Sequence, residues 1–289
     1  MDTMQTYDES LLNKLTQTML YEGYSFCPSA LKNKKPIPFG VVFPRSYSAK
    51  HINTNGFMRT QCLLNASPDA KIEVLVRFLH LVKVELYRKV NGDFVRAEDF
   101  MADSHHFTEG WQAVERQIDY GEMSVSDSVN KRNIKPISFS GSAIAENIFS
   151  EAGVVGRRIF RVYPIGGRAE LEVSGGGREN LWRITARITN QTNLKNAESM
   201  EHDMAMCQSF IAVHTILKTD KGKFLSSQNP PVEFTEGTSV CKNMNTWPVL
   251  IDHENKMMLS SPVILYDHPQ VNSNSKDDLF DKTEMLATI

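Results

Sequence analysis

The chain has 289 residues, 41% of them hydrophobic and 23% charged, and its 32 basic and 34 acidic side chains leave a net charge of −2. That composition excludes a disordered chain or a coiled coil. It also argues against a nucleic-acid partner unless basic residues gather in one patch. No apolar run reaches the roughly 18 residues that a membrane span needs, and a chain this long can bury a core without a metal or a disulfide.

Residues 8–21 read as a short amphipathic helix, with Leu11, Leu12, Leu15, Met19 and Leu20 near helical spacing. Asp8 or Ser10 would cap it and Gly23 would end it. The acidic, polar opening MDTMQTYDES lacks the features of a signal peptide. Pro28, Pro36 and Pro38 then prevent a regular element before Phe39. The basic run Lys32-Asn33-Lys34-Lys35 reads as a solvated turn, with an anion contact as the alternative. Short strands are expected at 39–43 and 56–65.

Residues 71–90 form the longest apolar-rich run. Ile72, Val74, Val76, Phe78, Val82, Val84 and Leu86 share one parity, interrupted only by His80. The pattern is that of a strand with one buried face, and its length predicts a bend or bulge. Asn91-Gly92-Asp93 is a turn signal. A helix is expected around 111–118, a polar loop over 121–138, and one or two helical turns within 139–150.

The middle of the chain reads as β. Strands are expected over 157–163, 168–173 and 181–190, separated by Gly166-Gly167 and by Gly175-Gly176-Gly177. Residues 204–219 fit a helix or a strand. With the turn Asp220-Lys221-Gly222 and residues 223–226 they read best as a second hairpin, and a late strand is expected over 261–266. The sum is a mainly β protein: an antiparallel β-sandwich-like scaffold with a few short helices and long ordered loops. One large β-rich domain over 1–289 is expected, with 1–150 and 151–289 as an alternative subdivision.

Motifs that carry chemistry are scarce. The glycine clusters match neither GxGxxG nor a P-loop, and GxSxG and HExxH do not occur. Cys27, Cys62, Cys207 and Cys241 form no CxxC pair, so free thiols in a reducing, cytoplasmic setting are expected. His105-His106 is a weak metal candidate, because neighbouring side chains on a strand point to opposite faces. Cys207 and His214 are another, since seven residues apart they suit neither a helical nor a strand site. Cys241 is the best thiol nucleophile candidate, with Lys242 to lower its pKa and His253 or His268 as base. No cofactor is expected.

The segment 229–280 is different in kind. Pro230-Pro231, Trp247-Pro248, Ser261-Pro262 and His268-Pro269 are proline-directed corners that could fix loops carrying Trp247, Tyr266 and Phe280. An irregular wrap over a sheet edge is the competing reading.

The stretch YEGYSFCPSALKNKKPIPFGVVFP (21–44) resembles the opening signature of an uncharacterised bacterial protein family encoded near nickel-iron hydrogenases and their accessory factors. NMNTWPVL (243–250), LSSPVILYDHPQ (259–270) and DLFDKTE (278–284) resemble further signatures of that family. The chain departs from the first signature at Ser25-Phe26-Cys27-Pro28-Ser29, where a Tyr-Pro-Tyr-Arg-like run is usual. The resemblance implies a metallocentre context by association and no particular catalytic residue.

Three functions follow. The first is a non-catalytic accessory or interaction protein, with a protein partner or self-association. The second is an enzyme or metal-handling protein with its site near Cys241, Trp247, His253, Asp267 and His268. The third is a structural protein that self-assembles through its sheet edges or through the proline-rich wrap. If the terminal signatures meet in one cleft, Glu22, Tyr24, Asn33, Lys35, Trp247, Tyr266 and Asp267 are the expected binding residues.

Overall fold

The computed structural model describes residues 10, 12–17, 19, 20, 40–151 and 153–269. Its strands are β1 (Phe57–Asn65), β2 (Lys71–Val90), β3 (Asp93–Arg96), β4 (Asp99–Ala102), β5 (His105–Thr108), β6 (Gly110–Ser124), β7 (Arg132–Phe139), β8 (Ser142–Ser150), β9 (Gly153–Val162), β10 (Ile165–Gly175), β11 (Leu181–Asn190), β12 (Ile211–Thr219), β13 (Lys223–Phe224), β14 (Trp247–Leu250) and β15 (Met257–Ser261). A five-stranded sheet runs β13-β1-β11-β10-β7 and an eight-stranded sheet runs β14-β15-β12-β2-β9-β8, with β3 and β6 also on β2. All strand pairs within these sheets are antiparallel, so the mainly β, sandwich-like scaffold is what the chain forms. Strands from both sides of residue 150 share both sheets.

β2 organises the molecule. Its first half lies between β12 and β6, and its second half between β9 and β3. Ile72, Val74, Val76 and Phe78 face the other sheet and meet Met58, Cys62 and Leu64 of β1, Leu171 and Val173 of β10, and Ile184 and Ile188 of β11. The opposite face of the eight-stranded sheet is covered too. Leu12, Leu15 and Met19 of the N-terminal helix pack on Ile216, Val249, Ile251 and Leu259. Leu79, Leu81 and Ile211 lie under Phe43, Tyr47 and Met206. The layering explains why β2 is apolar on both parities over 78–82: both faces are buried there.

The second half of β2 projects beyond this double cover. There Leu86 and Ile148 pack against the β4–β5 hairpin, through Phe100 and Ala102 with Phe107 beside them, and Ala97 and Val155 border the same cluster. Gly156 permits that contact, because a Cβ there would lie 2.3 Å from the Phe100 ring and 2.7 Å from the Tyr87 carbonyl.

Several expectations are corrected. Strand β2 is unbroken, and the irregularities its length predicts fall on its partners. Near Glu73 an extra residue enters β6 beside Gly121, and between Ile211 and His214 one enters β12 at Ala212, both with positive φ. The expected helix at 111–118 is part of β6, the loop over 121–138 holds the end of β6, the short helix Val125–Ser128 and β7, and 139–150 is mostly β8. Gly166-Gly167 does not turn a hairpin, because β9 and β10 belong to different sheets and Pro164 marks the crossing. Likewise β12 and β13 are in different sheets, so Asp220-Lys221-Gly222 is a crossing and not a hairpin turn. The short helix His202–Met206 precedes β12. The strand expected over 39–43 is reduced to a bridge at Val42, and the late strand is β15, which ends at Ser261 where the expected one began. Trp247-Pro248 is no corner. It lies within β14, an edge strand, where a missing N–H is tolerated.

Candidate functional site

The crossing after β13 and the segment after β15 form the two walls of a cleft. Ser226 Oγ donates to Asp267 Oδ2 at 2.5 Å and accepts the backbone N–H groups of Gln228 and Asn229 at 3.0 and 2.8 Å. A hydroxyl has one proton and two lone pairs, so Ser226 is saturated. Asp267 Oδ1 accepts the Leu250 N–H at 2.8 Å, and the His268 N–H donates to the Leu250 carbonyl at 2.7 Å. Gln228 Nε2 donates to the Leu265 carbonyl at 2.6 Å. These bonds fasten residues 226–229 and 265–268 to the end of β14.

The cleft between them has a volume of about 610 Å³. Phe224, Leu225 and Leu250 give it an apolar floor, with Phe234 beside them. Its polar lining is rich in amides, from Asn65, Gln228, Asn229 and Asn255, with Lys223 adding one cation. Tyr266 and His268 also line it. His268 stacks on His253 with ring centroids 5.2 Å apart, and its backbone holds φ at +57°, a conformation that His adopts more readily than most side chains.

Asp267 and His268 therefore line one cleft with Tyr266, while Trp247 and Cys241 do not line it. Cys241 sits in a small apolar cluster with Leu63, Leu181, Leu225 and Phe234. Its thiol donates to the Gly237 carbonyl at 3.7 Å. Burial pushes this thiol up from its ordinary value, and Arg183 only partly offsets the push. The cation that acts on Cys241 is Arg183; the Lys242 backbone N–H is bound to Gln61 Oε1.

The remaining candidates lie elsewhere. His105 and His106 are on β5, and His106 Nε2 stands 3.3 Å from Asp99 Oδ2 across the hairpin while the His105 ring lies near Phe107. Cys207 is buried, and desolvation raises its thiol to about 12. His214 is buried on β12 with Nδ1 at 2.6 Å from the Ala212 carbonyl and Nε2 at 3.3 Å from Ser261 Oγ. Among the described residues no three His, Cys, Asp or Glu side chains are grouped to hold a metal ion. Glu22, Tyr24, Asn33, Lys35 and Phe280 lie outside the described residues. The described end of the first signature does reach the third: Gly40 is close enough to Pro262 that a Cβ would fall 2.4 Å from its ring.

Sequence reasoning missed Ser226, Gln228, Lys223, Asn65 and Phe234. The signal was present for one of them: Ser226, three residues before Asn229-Pro230, marks a side-chain-closed turn. Basic residues gather in one place that sequence did not reveal. Arg59 and Arg187 stand directly opposite each other on β1 and β11, with Arg183 on the same outer face. Glu170 lies among them and pairs with Arg168 at 3.0 Å and Arg132 at 3.7 Å. No described helix is long and apolar enough to cross a membrane. No family profile matches the chain, and no curated protein matches it.

Proposed function

We propose that this protein is a non-catalytic interaction protein that receives an extended peptide segment of a protein partner in the cleft between residues 223–234 and 265–268. The observation that carries the reading is how the polar groups of the cleft are used. Ser226 and Asp267, the residues there that resemble a reactive pair, spend their hydrogen bonds on the walls. What remains towards a ligand is an apolar floor and a rim that carries the amides of Asn65, Asn229 and Asn255, the Gln228 amide being held by the 265–267 wall. Amides both donate and accept, which is the requirement for meeting a peptide backbone, and an apolar floor takes alternate side chains.

The family resemblance supports a metalloenzyme-assembly context for the partner, and the scattered cysteines support a reducing, cytoplasmic setting. The experiment is recovery of the tagged full-length protein under gentle conditions, with the neighbouring hydrogenase components co-expressed, beside the cleft variant Phe234→Lys. A stoichiometric protein partner that the variant loses is expected. Recovery of a chain without any partner, or a partner that Phe234→Lys retains, would overturn the reading.

A further inference from the structure

The sheets end in strands that differ greatly in how well they are protected. An open edge presents unpaired backbone groups to any other strand, and proteins blunt such edges with short length, proline, bulges or charge. β13 has two residues, and β14 has four including Pro248. β7 carries Pro136, Arg132 and Lys135. β6 carries Glu115, Arg116, Asp119 and Glu122 and is bulged.

β8 is neither short nor bulged, holds no proline, and carries one charge. It is nine residues long, SAIAENIFS, and it ends the eight-stranded sheet. The irregularity in its pairing with β9 places the extra residue, Val155, on β9, so β8 itself stays regular. Its single charge, Glu146, is already held by Arg158 of β9 at 3.2 Å. Two large apolar side chains stand in the open on it, Ile144 at 61% and Phe149 at 67% exposure.

We infer that β8 is a homodimerisation edge, on which the β8 of a second copy of this chain pairs antiparallel to extend the eight-stranded sheet. The sequence of the strand is what selects a second copy. A two-fold axis perpendicular to the sheet must match residues of equal parity, because such an axis keeps each face on its own side. Centred on Glu146, that axis sets Ile144 opposite Ile148 and Ala143 opposite Phe149 of the partner subunit. The exposed Ile144 and Phe149 both gain apolar neighbours in this register. The one like-charge contact, Glu146 against itself, is flanked on each side by Arg158, which makes a symmetric Arg–Glu–Glu–Arg row across the seam and offsets the repulsion at its centre.

The test is molar mass in solution over a wide concentration range, for the full chain and for Ile144→Lys with Phe149→Lys. Both positions are exposed, so the substitutions leave the folded chain intact. The wild type is expected at twice 32.7 kDa and the double variant at 32.7 kDa, with unchanged thermal unfolding of the variant chain. Hydrogen exchange of the 142–150 amides is the second readout, and slow exchange that becomes fast on dilution supports the pairing even if the variant misfolds. A wild type of 32.7 kDa at every concentration, a dimer that survives the two lysines, or β8 amides that exchange fast throughout would each overturn the inference.

Discussion

The two halves of β2 have the same alternating pattern and very different surroundings. Residues 72–79 lie in a sheet covered on both faces, by the second sheet on one side and by helices and loops on the other. Residues 82–90 lie in a projecting sheet where Leu86 is covered by a hairpin of two four-residue strands. A strand takes its stability from what packs on it and not from its own sequence, so the first half should behave as core and the second as a separately opening unit.

The largest effect that distinguishes them is core truncation. Phe78 is fully buried among Phe210 and Phe139, and Phe78→Ala should lower global stability by about 3–5 kcal/mol in chemical denaturation. Phe100→Ala removes the anchor of the hairpin. It should speed hydrogen exchange in β4, β5 and the end of β2 while the global denaturation midpoint moves much less. Equal global losses for the two variants would show that the halves unfold as one.

Acid is the next lever, and it acts on the covered half. His80 and His214 are both fully buried. Burial pushes each imidazole down from 6.5 to about 4, with Arg116 adding to the effect at His80 and Arg77 at His214. Neither ring nitrogen of His80 makes a well-formed hydrogen bond; the Tyr163 and Cys207 backbone groups nearby offset the desolvation only in part. The neutral ring is the folded form, so stability is unaffected above pH 6.5, falls as pH drops from 6.5 towards 4, and levels off below. Each histidine should contribute about 3 kcal/mol to that loss. A variant with His80 replaced by Gln should lose less stability across this window than the wild type, and an unchanged pH profile would show that His80 is not buried as described.

A smaller effect is expected at the cleft. Asp267→Asn weakens the bonds to Ser226 and to the Leu250 N–H and should cost about 1–3 kcal/mol. Its stronger consequence should be loss of partner binding through loosening of the 265–268 wall. Ile144→Lys on β8 sits at the other end of the scale, with a change in the stability of the isolated chain within about 0.5 kcal/mol.

How far sequence could be read follows the same division. β1, β2 and β11 were legible because at least one face of each is buried and apolar residues recur on it at every second position. β6 and β8 were not. Most of β8 is exposed on both faces, so no period of two is imposed, and β6 mixes Glu115, Arg116 and Gln117 with apolar residues in a way that also suits a helix. The crossings at Pro164 and at 220–222 read as hairpins because turn residues report that the chain reverses, not which sheet it joins next. In the cleft, Tyr266, Asp267 and His268 stood out as residues in a proline-fixed segment. Their partner Ser226 lies 41 positions away in sequence, and only the fold brings it to Asp267.

The most direct test of the account is photo-crosslinking from the cleft. A benzophenone amino acid in place of the exposed Tyr266 is compared with one at Ile52, which is exposed and away from the cleft. The probe at 266 should crosslink to a single short segment of one partner protein in cells, Phe234→Lys should abolish this adduct, and the probe at 52 should not form it. An adduct that Phe234→Lys leaves unchanged, or no protein adduct from position 266, would contradict the proposed binding in the cleft.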